Sequence, residues 1–205
     1  MAAAPEQLTY NTLTPEQVVA SQAQVSFPLS TNYGDFWLLH DPETSSATRL
    51  WWLPDAAGKV SHTQPQAVLP EPHSLRSRVH EYGGMAYTLG RCSGLLPEKP
   101  EQTGVIQLLI WVEEADQQLY YLPFDPANPM PVDASRLNGL SDWTKELSNQ
   151  NRSFRYGEPV LHPSLPWVIA IEEEHTPDSV INRLVAFHLQ NHKRKVLAEG
   201  ADFYT

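Results

Sequence analysis

Val105-Ile106-Gln107-Leu108-Leu109-Ile110-Trp111-Val112 runs through Glu113-Glu114-Ala115-Asp116 into Gln118-Leu119-Tyr120-Tyr121-Leu122-Pro123. An apolar run of strand length, an acidic reversal and a second apolar run specify a β-hairpin. The arrangement occurs twice more. Gly34-Asp35-Phe36-Trp37-Leu38-Leu39 turns back into Thr48-Arg49-Leu50-Trp51-Trp52-Leu53-Pro54. Trp167-Val168-Ile169-Ala170-Ile171 passes an acidic turn into Asn182-Arg183-Leu184-Val185-Ala186-Phe187. Leu50, Leu119 and Leu184 are 69 and 65 residues apart. Recurring all-β units predict a propeller or another repeat of stacked sheets. A propeller repeat of about 40 to 45 residues with four strands would then carry one enlarged loop per blade.

The rest of the chain fits that reading. Its 18 prolines exceed the usual level of about 5% and point to turns and edges rather than long helices. The connectors from Asp55 to Ser77 and from Pro123 to Asn151 are too long for simple loops, and each is expected to hide an outer strand or to cross between blades. Leu140 to Leu147 could form one helical turn. Thr14-Pro15-Glu16-Gln17 carries a capping residue, a first-turn proline and a capping-box glutamine, so a short helix is expected there. The predicted organisation is all-β: residues 1–24 form a lead-in with that helix, and residues 25–205 an incomplete propeller of about three four-stranded antiparallel blades. Gly200 to Thr205 would start a fourth.

A formal charge of −10 argues against nucleic acid or an anionic membrane as partner, because either needs a basic face. The single Cys92 excludes an internal disulfide and a Cys-rich zinc site. The first residues carry no basic and apolar signal regions, and no apolar run approaches the ~20 residues of a membrane span. A soluble, cytoplasmic chain is the expectation.

The densest polar signal is Arg76-Ser77-Arg78-Val79-His80-Glu81-Tyr82-Gly83-Gly84-Met85-Ala86-Tyr87-Thr88. As a strand, it would place Val79, Glu81 and Gly83 on one face and His80, Tyr82 and Gly84 on the other. Its paired glycines mark a bulge or a close backbone approach. Arg76, Arg78, His80 and Glu81 form either a buried ion-pair network or a binding patch. Glu173, Glu174 and His175 form a second candidate, a hairpin tip able to hold a cation or an amino group, or simply a solvated turn.

The segment around His80 resembles the propeller of the prolyl oligopeptidase family of serine peptidases, in the branch of acylaminoacyl-peptidase-like and dipeptidyl-aminopeptidase-like enzymes. Their first blades carry a similar Ser-Arg-Val-His-Glu-Tyr-Gly-Gly-Gly-Ala stretch. Gln117-Gln118-Leu119-Tyr120, Phe154-Arg155-Tyr156-Gly157, Glu173-Glu174-His175 with Asn182-Arg183-Leu184-Val185, and Gly200-Ala201-Asp202-Phe203-Tyr204 resemble further family stretches in the same order. Met85 stands where glycine is usual, and Gly157-Glu158 replaces Ala-Asp. The resemblance covers Val25 to the end. It implies a propeller that limits access of short peptides to an α/β-hydrolase domain, with that domain or further blades as partner and Arg76, Arg78, His80 and Glu81 on the propeller face.

Catalysis would need a Gly-x-Ser-x-Gly elbow, and none occurs; Gly90-Arg91-Cys92-Ser93-Gly94 has the wrong spacing. The chain is expected to be a truncated, non-catalytic piece with no cofactor and no metal. His80-Glu81 does not complete a zinc motif, because Gly84 occupies the closing position. His188 and His192 are expected as two exposed imidazoles. Cys92 is expected as a half-buried structural thiol, against a reactive one activated by Arg91. The pairs Trp51-Trp52 and Tyr120-Tyr121 are expected as packing between blades. A different class also fits the sequence: a stand-alone β-repeat module that binds a peptide, sugar or protein.

Overall fold

The computed structural model describes residues 22–43, 45–54, 64–81, 83–93, 105–123, 138–139, 153–201 and 203. Within them lie three four-stranded antiparallel sheets, each a meander in chain order. The first holds β1 (Gln24–Thr31), β2 (Gly34–His40), β3 (Thr48–Pro54) and β4 (Gln66–Ala67). The second holds β5 (Tyr87–Ser93), β6 (Val105–Val112), β7 (Leu119–Pro123) and β8 (Asn138–Gly139). The third holds β9 (Ser153–Leu161), β10 (Trp167–His175), β11 (Val180–His188) and β12 (Arg194–Glu199). The three repeated hairpins are therefore the middle strands of three blades. Both long connectors conceal an outer strand, β4 and β8. The Thr14–Gln17 helix and the turn at Leu140–Leu147 lie outside the described residues.

Burial fixes how the sheets stack. Leu108 to Val112 of β6 are all fully buried, so the second sheet is covered on both faces. In the first sheet Phe36, Leu38, Leu50 and Trp52 share the covered face, since Phe36 pairs with Trp52 and Leu38 with Leu50. Phe36 and Trp52 stack with ring centroids 5.9 Å apart. In the third sheet Tyr156, Leu161, Val168, Ala170, Val185 and Phe187 turn inward. All of them belong to one hydrophobic core with the second sheet at its centre. Burying a residue such as Leu50 or Phe187 contributes about 1.5–3 kcal/mol, so this shared core sets the blade order.

The opposite faces of the two flanking sheets are more open. Val25 is 63% exposed on one, and Val160 and Val180 are 52% and 51% exposed on the other. The first strands of both flanking sheets carry bulges, at Phe27 and at Glu158, each with a positive φ of 51°. The bulged Phe27 carbonyl accepts a hydrogen bond from the Tyr87 hydroxyl at 2.7 Å, tying β1 to β5.

Candidate functional site: the connector across three blades

The described residues of 74–81 and 83–86 do not form the strand that their alternation predicts. They run as an irregular connector with a turn at Val79–Glu81. His80 and Glu81 have φ of 56° and 64°, and Gly83 follows at 84°. Three left-handed residues so close together cannot continue a strand. The turn is closed by the Gly83 N–H donating to the Val79 carbonyl at 3.0 Å. A Cβ on Gly83 would sit 2.7 Å from the Ser77 carbonyl oxygen, so the close backbone approach expected of the glycine pair is present without the strand.

Tertiary bonds outweigh the local β preference because the connector crosses one end of all three sheets. On the first sheet, the Leu75 N–H donates to the Thr48 carbonyl at 2.9 Å and the Thr48 N–H to Ser74 Oγ at 3.0 Å. On the second, Glu113 accepts from the Ser74 N–H at 3.1 Å and faces His73 Nδ1 at 2.9 Å. Gln117 there accepts from the Arg78 N–H at 2.8 Å and donates to the Arg76 carbonyl at 3.0 Å. On the third, Ser77 Oγ donates to the Tyr156 carbonyl at 2.7 Å, and Arg155 to the Arg78 carbonyl at 3.2 Å. Glu158 and Met85 bond reciprocally: the Glu158 N–H donates to the Met85 carbonyl at 2.9 Å, and its carboxylate accepts from the Met85 N–H at 2.7 Å.

The two candidate groups meet at the far end of this connector. Glu173 accepts from the His80 N–H at 2.5 Å and lies 3.3 Å from His80 Nδ1, while His175 Nε2 lies 3.0 Å from its other oxygen. His80 Nε2 is 3.0 Å from the Phe203 carbonyl. A buried carboxylate thus holds two imidazoles together and pins the connector to β10.

Two expectations need correction. Glu173 and Glu174 are not a hairpin tip: they are buried strand residues of β10, 3% and 1% exposed, and the turn follows at residues 176–179. Nor do Arg76, Arg78, His80 and Glu81 form a single buried network. The Arg76 and Arg78 side chains are 63% and 52% exposed, at 3.6 and 3.5 Å from Glu114, where such pairs contribute little. Glu81 is exposed as well. Only His80 joins the buried cluster.

The other face of β10 carries a cluster that was not foreseen. Glu172 is fully buried, accepts from the Tyr156 hydroxyl at 2.9 Å, and is gripped by Arg194 through Nε at 2.9 Å and Nη2 at 2.5 Å. Arg183 bonds Glu174 at 2.7 Å and also pairs with Glu199. Burial alone would lower the Arg183 guanidinium, yet the bonds to Glu199 and Glu174 outweigh it and hold the group above its ordinary range. Burial, together with the Glu172 charge and hydrogen bond, pushes the Tyr156 phenol well up. The available signal was the register: Glu172 lies directly opposite Arg183 in the β10–β11 hairpin.

Of the remaining candidates, Cys92 is buried and desolvation raises its thiol, the reverse of activation. Arg91 instead bonds the Tyr33 hydroxyl at 3.1 Å. Tyr121 is buried, and Tyr120 stacks on Trp111 at 5.7 Å. His192 is exposed, whereas His188 is half-buried against Trp167 with centroids 4.9 Å apart. Among the described residues no group of three His, Cys, Asp or Glu could hold a metal ion. Among them, too, no helix is long and apolar enough to cross a membrane.

Known structures share this arrangement of sheets. A Mycobacterium tuberculosis puromycin-hydrolyzing peptidase aligns with a TM-score of 0.61 and 21% identity over 91% of this chain and 26% of that one. The fold matches a peptidase propeller. A mutant of puromycin hydrolase complexed with PGG aligns with a TM-score of 0.56 and 20% identity, over 92% of this chain and 26% of that one. Puromycin hydrolase itself gives 0.52 and 21%, over 85% and 23%. The chain spans about a quarter of the length of the structures it matches. No family model and no curated protein matches the sequence. At the level of fold, the chain is similar to the propeller portion of these puromycin-hydrolyzing peptidases.

Proposed function

We propose that this chain supplies three adjoining blades of the propeller of a prolyl-oligopeptidase-like serine peptidase. In this reading it is a non-catalytic wall that limits which substrates reach an α/β-hydrolase domain. The observation that carries the reading is the fold similarity to puromycin-hydrolyzing peptidases over 91% of the chain. Two features support it. The connector at Ser74–Ala86 locks three blade ends into one surface, which a selective rim requires. The open faces bearing Val25 and Val160 are what neighbouring blades cover in a propeller, and they favour this reading over a self-contained binding module. A reducing cytoplasm suits the single buried Cys92.

The test is a graft of residues 22–203 in place of the corresponding portion of the M. tuberculosis puromycin-hydrolyzing peptidase. A chimera that cleaves small chromogenic substrates but spares unfolded polypeptides supports the gating role. A folded chimera that degrades long polypeptides as readily as small substrates rules it out.

A further inference from the structure

A cavity of about 350 Å³ lies beside the connector, between it and the covered face of β1–β3. Leu38, Leu75 and Ala86 are among its apolar lining residues, and Ser26, His40 and Arg76 among its polar ones. Its volume falls within the ~300–1,000 Å³ typical of small-ligand sites. Among the described residues that line it none is Asp or Glu, in a chain whose net charge is −10, and the Glu158 carboxylate behind Gly84 is held by the Met85 N–H. Among the described lining residues Arg76 is the one with a permanent charge, and it pairs with Glu114 at 3.6 Å through a side chain that is 63% exposed.

His40 supplies a second, independent observation. Its Nδ1 is buried without a hydrogen-bond partner among the described residues. Leaving a buried polar atom unpaired is unfavourable. The tautomer that keeps the proton off Nδ1 buries only a lone pair. It then leaves the N–H on Nε2, the ring edge able to face the cavity. An imidazole donor and a guanidinium among apolar lining residues are the complement of a carboxylate attached to a small apolar group.

We infer that this cavity binds a small carboxylate-bearing molecule, with Arg76 and His40 as its anchors. The site is separate from the proposed gating role and does not depend on it. The carboxylate could belong to a free acid or to the end of a peptide, and the experiment distinguishes them. The full chain is titrated with N-acetyl-leucine, with N-acetyl-leucinamide, and with a tripeptide ending in leucine, followed by isotope-edited NMR. The expected result is saturable binding of N-acetyl-leucine with shifts at His40 and Arg76, and binding of the amide weaker on the order of tenfold. Tighter binding of the tripeptide identifies a peptide terminus, and tighter binding of N-acetyl-leucine a free acid. Arg76→Gln, a change at an exposed side chain that leaves folding intact, should weaken acid binding on the order of tenfold, as should His40→Asn. Equal affinity for acid and amide, binding unaffected by Arg76→Gln, or no saturable binding of either acid overturns the inference.

Discussion

His80 Nε2 lies 3.0 Å from the Phe203 carbonyl oxygen, 123 positions further along the chain. A carbonyl only accepts, so Nε2 donates, while Nδ1 of the same ring faces the Glu173 carboxylate at 3.3 Å. One half-buried imidazole therefore joins the first connector, the third sheet and the segment that leaves it.

Replacing His80 with Ala should lower stability by about 1–3 kcal/mol, since it leaves the Phe203 carbonyl without its imidazole donor and removes one partner of Glu173, which keeps the residue-80 N–H and His175. The exposed neighbour change Glu81→Ala should stay within about 0.5 kcal/mol. Urea unfolding of both variants checks this; equal midpoints would show that His80 is not the joint.

Gly83 and Gly200 share a left-handed backbone, at φ of 84° and 85°, but differ in space. A Cβ on Gly83 would meet the Ser77 carbonyl at 2.7 Å, and one on Gly200 nothing within 4 Å. Gly200→Ala should cost about 1 kcal/mol from conformation alone. Gly83→Ala should cost at least about 1 kcal/mol more, because the clash is with backbone. Thermal melts of the two variants give the difference directly.

The Glu172 cluster sets a contrast between buried and exposed pairs. Glu172→Ala leaves Arg194 and the Tyr156 hydroxyl without their shared partner and should destabilise by about 3–5 kcal/mol. Glu71, whose side chain is 80% exposed in its pair with Arg49, should lose less than about 1 kcal/mol on the same change. Calorimetry that ranks Glu71 at or above Glu172 would contradict the burial argument.

Alkaline pH should weaken the fold. Burial raises Cys92 above its ordinary 9.0, and raises Tyr87 and Tyr156 above their ordinary 10.0. The folded chain therefore keeps protons that the unfolded chain releases. Their contribution is fully present below pH 9.0 and declines as pH rises through and beyond 10.0. Unfolding midpoints between pH 7 and pH 11 should fall monotonically above about 9; a flat profile would mean these groups are solvated. Thiol labelling of the folded chain should likewise be slow.

The blades were legible because β2–β3, β6–β7 and β10–β11 are long apolar runs separated by polar turns, which no helical period accommodates. The outer strands β4 and β8 were visible only as suspicious loop lengths, since Gln66–Ala67 and Asn138–Gly139 are too short to show a period. The connector misled because Val79 to Gly84 alternates like a strand. Bonds from Thr48, Glu113, Gln117, Tyr156 and Glu173 decide its path, and no local pattern contains them. Glu172 to Glu174 looked like a solvated charge run because their partners, Arg183, Arg194 and His80, arrive from other elements. Glu158, whose carboxylate holds Met85, stood out only as a departure from the family's usual residue.

The most direct measurement of the central claim is hydrolysis by the isolated chain of chromogenic aminoacyl and acyl-aminoacyl substrates. A propeller segment should give no turnover above a buffer control, with or without added protein. Saturable turnover that rises with chain concentration and vanishes on denaturation would contradict it.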